Sequence, residues 1–80
     1  MKWLGRATGK DEVFEFTIEP FVAGGFRLDI KYSGSCHHNI VGAGIWPSIE
    51  KAKEIAQGTA AKLLNGAEVY WNSESINTNV

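Results

Sequence analysis

Between Pro47 and Gly66 the chain contains one complete amphipathic helix, and that helix constrains everything around it. Ser48 is an N-cap residue whose hydroxyl can accept from the backbone N–H groups that a first turn leaves unpaired. Glu50 falls in the first turn and Lys62 in the last, where each charge suits the helix dipole. Ile49, Ala52, Ile55, Ala56, Thr59, Ala60, Leu63 and Leu64 follow at helical spacing and form a single stripe. Lys51, Lys53, Glu54, Gln57, Gly58, Ala61 and Lys62 occupy the opposite side. Asn65-Gly66 ends the run, with Gly66 as the left-handed residue beyond the cap. The spacing predicts a helix over residues 48–65. Ala52, Ala56 and Ala60 stack in one row, so the helix axis can lie close to whatever it covers. The bulk of the core must then come from the covered surface.

Two strands supply that surface. Residues 13–19 alternate, with Phe14, Phe16 and Ile18 on one side and Val13, Glu15, Thr17 and Glu19 on the other. Residues 26–32 alternate too, with Phe26, Leu28, Ile30 and Tyr32 against Arg27, Asp29 and Lys31. Pro20 and Gly24-Gly25 mark the turn between them. Pairing Ile18 with Leu28 sets Phe16 against Ile30 and Phe14 against Tyr32. The same register sets Glu19 opposite Arg27 and Glu15 opposite Lys31, so apolar and charged faces agree on one hairpin.

The remaining elements follow from that hairpin. Ser33-Gly34-Ser35 is a turn, and a third strand is expected over residues 39–46, weakened by Gly42 and Gly44. Residues 2–7 can add a short strand, returned by Thr8-Gly9-Lys10-Asp11, and residues 67–71 can pair as an edge strand. The expected class is α+β: an antiparallel sheet of three or four strands in the order β-β-β-α-β, with one helix packed on one face. Residues 1–71 form one domain in this reading, and the polar run 72–80 is expected to fray.

Composition narrows the function classes. A chain of 80 residues allows one modest core. Its 44% hydrophobic and 21% charged content excludes a disordered chain. One cysteine excludes an internal disulfide framework. An opening Met1, with no signal-peptide pattern and no long apolar run, leads to the expectation of a cytoplasmic protein with no membrane association. A sheet that reads nucleic acid needs a basic surface. Here the net charge is −1, and Glu15 and Glu19 stand beside Arg27 and Lys31, so nucleic acid is disfavoured as a partner.

Cys36-His37-His38 is the one cluster with ligand chemistry. Neighbouring residues of an extended chain point to opposite sides, so at most Cys36 and His38 share a face. Four spaced ligands are the rule for structural zinc, and no further Cys or His exists in the chain. A cysteine beside histidine also suggests a nucleophile and base, which need a third orienting group and an oxyanion pocket. Gly24-Gly25 and Gly42-Ala43-Gly44 match no phosphate-binding fingerprint, because Ile45-Trp46-Pro47 separates the second pair from the helix. The expectation is therefore no metal, no cofactor and no enzymatic activity.

The layout resembles a loose group of small bacterial, phage and mobile-element proteins. The elements that carry the resemblance are Met1-Lys2-Trp3, the strands over 13–18 and 26–32, and the helix opening Pro47-Ser48-Ile49-Glu50-Lys51-Ala52-Lys53. They span most of the chain and are architectural. The Cys36-His37-His38 loop and the closing strand over 67–71 depart from the group's commoner members. The resemblance implies an accessory or mobile gene as the setting.

Three function classes remain. The first is a non-enzymatic interaction module that binds protein and self-associates, expected as a homodimer. Trp3, Trp46, Val69 and Trp71 are its candidate partner-binding residues, since tryptophan is enriched in interface hot spots and residues 67–71 form an edge. The second is an accessory nucleic-acid binder in which Lys2, Arg6 and Lys10 join Arg27 and Lys31. The third is a small-ligand carrier with a pocket between helix and sheet.

Overall fold

In the computed structural model, residues 2–35, 40 and 42–73 are described. Six elements follow one another: β1 (Trp3–Gly9), β2 (Glu12–Pro20), β3 (Phe26–Gly34), β4 (Gly44–Trp46), α1 (Ile49–Leu63) and β5 (Tyr70–Ser73). The strands form one five-stranded sheet in the order β4-β3-β2-β1-β5, and every neighbouring pair is antiparallel. The α+β class with a single helix on one face is as the sequence predicts, with one strand more than the three or four expected. The first strand runs to Gly9, and the last lies at Tyr70–Ser73, displaced from 67–71 toward the C-terminus. Only Gly44–Trp46 of the expected third strand pairs among the described residues. Residues 74–80 of the polar run lie outside the described residues.

The β2–β3 hairpin has the register the alternation dictates: Ile18 faces Leu28, Phe16 faces Ile30 and Phe14 faces Tyr32. Four consecutive strands meander across the sheet to β4 at one edge. The helix then returns the chain over the sheet to β5, beside β1 at the other edge. Ser48 caps it with extended backbone and an Oγ that accepts from the Lys51 N–H at 3.0 Å. At its other end the Gly66 N–H donates to the Ala61 carbonyl at 2.8 Å, the long bond of a Schellman ending. The left-handed step begins at Asn65 (φ 58°), one residue before the glycine that the sequence nominated. Asparagine tolerates this conformation because its short side chain can bond locally.

Ala52, Ala56 and Ala60 are completely buried, over Phe14, Phe16, Ile18 and Leu28, which are buried as fully. The aromatic rings pack on one another, Phe14 to Tyr32 at 4.9 Å between centroids and Phe14 to Phe16 at 6.2 Å. On β1 the residues facing this layer are Trp3, Gly5, Ala7 and Gly9, and most lack bulk. A Cβ at Gly5 would stand 2.6 Å from the Trp71 ring and 2.8 Å from Val69, so both of those side chains fill the space over the glycine. Gly42 likewise admits Ile55 of the helix, to within 2.8 Å of where a Cβ would be.

Gln57, on the polar side of the helix, bridges to the segment before β5. Its amide donates from Nε2 to the Ala67 carbonyl at 2.9 Å and accepts at Oε1 from the Val69 N–H at 3.0 Å. One side chain thereby satisfies two backbone groups of a stretch that has no strand partner of its own.

The bare sheet face as candidate interaction surface

One helix covers one face of the sheet, and the pleat sends every second residue to the other. The pairing places these outward residues in cross-strand rows. One row reads Tyr70, Arg6, Glu15 and Lys31 from β5 to β3. The next reads Asn72, Leu4, Thr17 and Asp29. Beyond it lie Glu19, Arg27 and Ile45. Leu4, Ile45 and Tyr70 are exposed large hydrophobic residues, Tyr70 to 73%. A trough of about 540 Å³ crosses β1 on this face, walled by Leu4, Arg6, Glu15, Thr17, Tyr70 and Asn72. It lies on the far side of the sheet from the helix, whereas the ligand pocket expected from the sequence was placed between the two.

The charges of this face are internally balanced. Arg6 donates from its guanidinium to Glu15 at 2.8 Å, across the β1–β2 pairing, and Arg27 meets Asp29 at 3.3 Å on β3. Glu15 faces Lys31 and Glu19 faces Arg27 in register, as the sequence predicts, but the short contact of Glu15 goes to β1 instead. Both ion pairs are well exposed, so each contributes little to stability. Their effect is on the field: the arginines are offset where a phosphate backbone would need them free.

The four partner-binding candidates all face the other way. Val69 is buried in the core at 8% exposure. Trp3 and Trp46 are half-buried against the core from β1 and β4, and the Trp46 Nε1–H donates to the Gly42 carbonyl at 2.8 Å. Trp71 is half-buried on the helix side of β5, its ring 6.2 Å from Phe16 and capped by Lys53, whose Nζ lies 5.6 Å from the ring centroid. The fold gathers Val69 and Trp71 over Gly5 and brings none of the four onto the bare face. Tyr70, which the sequence reading passed over, is the exposed aromatic of that strand. Its signal was available in the alternation: with Val69 and Trp71 turned inward, Tyr70 must turn outward.

Comparison with protein-family models, curated proteins and solved structures finds no match to this chain. Among the described residues no group of three His, Cys, Asp or Glu side chains could hold a metal ion, and Cys36, His37 and His38 lie outside them. Among the same residues no helix is long and apolar enough to cross a membrane.

Proposed function

We propose that this protein is a non-enzymatic interaction module, acting in the cytoplasm, that binds protein through the bare face of its sheet. The observation that carries the reading is the contrast between the two faces. One is sealed by an alanine-lined helix, while the other exposes Leu4 and Tyr70 at a shallow trough and Ile45 on the far edge strand. Exposed apolar groups within a polar surround are the make-up of a protein-binding patch. The resemblance to small mobile-element proteins adds an accessory gene as the setting. The nucleic-acid alternative draws on Lys2, Arg6, Lys10, Arg27 and Lys31, but carboxylates hold two of these at 2.8 and 3.3 Å.

Photo-crosslinking tests the reading directly. A photoreactive residue at position 70 should trap protein in the native host. The same residue at position 22, where Val22 is 96% exposed at the tip of the β2–β3 turn, should trap far less. Equal capture at both positions would remove the bare face as the binding surface. Submicromolar affinity for DNA or RNA at physiological salt would favour the alternative.

A further inference from the structure

We infer that the partner of the bare face is a second copy of this chain, stacked sheet on sheet about a two-fold axis that runs along the strands between β1 and β2. The inference rests on the protein-binding reading above and adds the identity of the partner and the register of the contact.

The charges select the arrangement. A two-fold along the strands exchanges strands about the axis and keeps each cross-strand row level with itself. With the axis between β1 and β2, β1 lies over β2 of the second copy and β5 lies over β3. In the first row Arg6 then stands opposite Glu15 of the second copy, and Tyr70 opposite its Lys31. In the second row Leu4 stands opposite Thr17, and Asn72 opposite Asp29. Each contact occurs twice, as an isologous interface requires. Every charged group in these two rows meets an opposite charge, an amide that can donate to it, or an aromatic face that favours a cation. Tyr70 and Leu4, exposed in the single chain, are both covered.

Neighbouring arrangements fare worse. An axis through β2 sets Glu15 against Glu15 and Arg6 against Lys31. An axis across the strands through Thr17 sets Glu15 against Glu19 and Lys31 against Arg27. An axis between β2 and β3 pairs Glu15 with Lys31 but leaves β5, and with it Tyr70, without a strand opposite.

Size sets the strength. Sheets stack about 10 Å apart with strands within about 30° of alignment. The four overlapping strands together offer roughly 400 Å² per copy in projection, so two corrugated faces bury on the order of 1,000 Å² in total, the low end for a specific contact. Charges in the contact add a desolvation cost. The dimer is therefore expected at the weak end of specific association, with dissociation in the micromolar range.

Sedimentation of three proteins and one mixture tests this. Wild type should dimerise with rising concentration. Arg6→Glu and Glu15→Arg should each weaken self-association by about tenfold or more, because like charges then meet twice across the axis. An equimolar mixture of the two variants should associate again as a heterodimer. Loss of the Arg6–Glu15 pair within each chain cannot produce that rescue. Both side chains are exposed, and circular dichroism should show both variants folded. Wild type that stays monomeric to several hundred micromolar would overturn the second copy as partner, while crosslinking of another protein at position 70 would leave the broader reading standing. A dimer unaffected by Arg6→Glu, or a mixture that fails to associate, would overturn the register.

Discussion

Gln57 offers the sharpest test of how the last strand is held. Its amide makes two hydrogen bonds to the backbone of residues 67–69, at 2.9 and 3.0 Å. A typical net contribution is about 0.5–1.5 kcal/mol per bond, and an orphaned buried group costs more. Val69 is itself buried, so its N–H has little access to water once Oε1 is gone. Gln57→Leu should therefore destabilise the protein by about 1–3 kcal/mol, the sum of two such bonds. Gln57→Glu separates the two roles. The carboxylate keeps an acceptor for the Val69 N–H but places negative charge against the Ala67 carbonyl oxygen. A protonated carboxyl can donate to that carbonyl, as the amide does. Folding therefore raises the pKa of the introduced carboxyl above its unfolded value. By linkage the variant keeps its stability at low pH and loses it as pH rises through the raised value. Measured against wild type at each pH by urea denaturation, its deficit should shrink in acid, while that of Gln57→Leu should not depend on pH. Hydrogen exchange at the Val69 amide should accelerate in Gln57→Leu. A Gln57→Leu cost below about 0.5 kcal/mol, the floor for a single net bond, would show that the clamp is incidental.

Two further substitutions probe the covered face. Ala56→Leu forces bulk between helix and sheet at a completely buried position and should cost about 1–3 kcal/mol by thermal or chemical denaturation. Gly5→Ala puts a methyl group within 2.6 Å of the Trp71 ring, so Trp71 and Val69 must move. It should cost a similar amount, about 1–3 kcal/mol, and change the tryptophan emission, whereas Thr8→Ala on the same strand should do neither.

The parts legible in the sequence are those fixed by local periodicity. The β2–β3 register could be read to the residue because the apolar and charged sets are both alternating and mutually consistent. The helix was legible for the same reason, and its alanine row gave the burial directly. β1 was harder, since Gly5, Ala7 and Gly9 carry its inward face with almost no apolar signal. The role of Gln57 was invisible, because a residue on the polar side of a helix looks solvated until the returning chain is placed beside it. The orientation of β5 depends on pairing Trp3 with Ser73, a contact between distant parts of the chain that no short window contains. No local pattern in residues 67–71 therefore says which face of the sheet Val69 and Trp71 take.

The neighbouring position of β1 and β5 has a consequence for synthesis. Of the five strands of the sheet, β1 is made first and pairs early with β2, but its other edge waits for β5. Until then the glycine-rich strand has one unpaired edge, and Phe16 lacks the tryptophan that later packs beside it. The β1–β5 closure spans a loop containing nearly the whole fold, so it is the slowest pairing in entropic terms. A chain that ends before Tyr70 would thus be left as a meander and helix with a permanent sticky edge. Closure of the sheet therefore depends on four residues, Tyr70–Ser73.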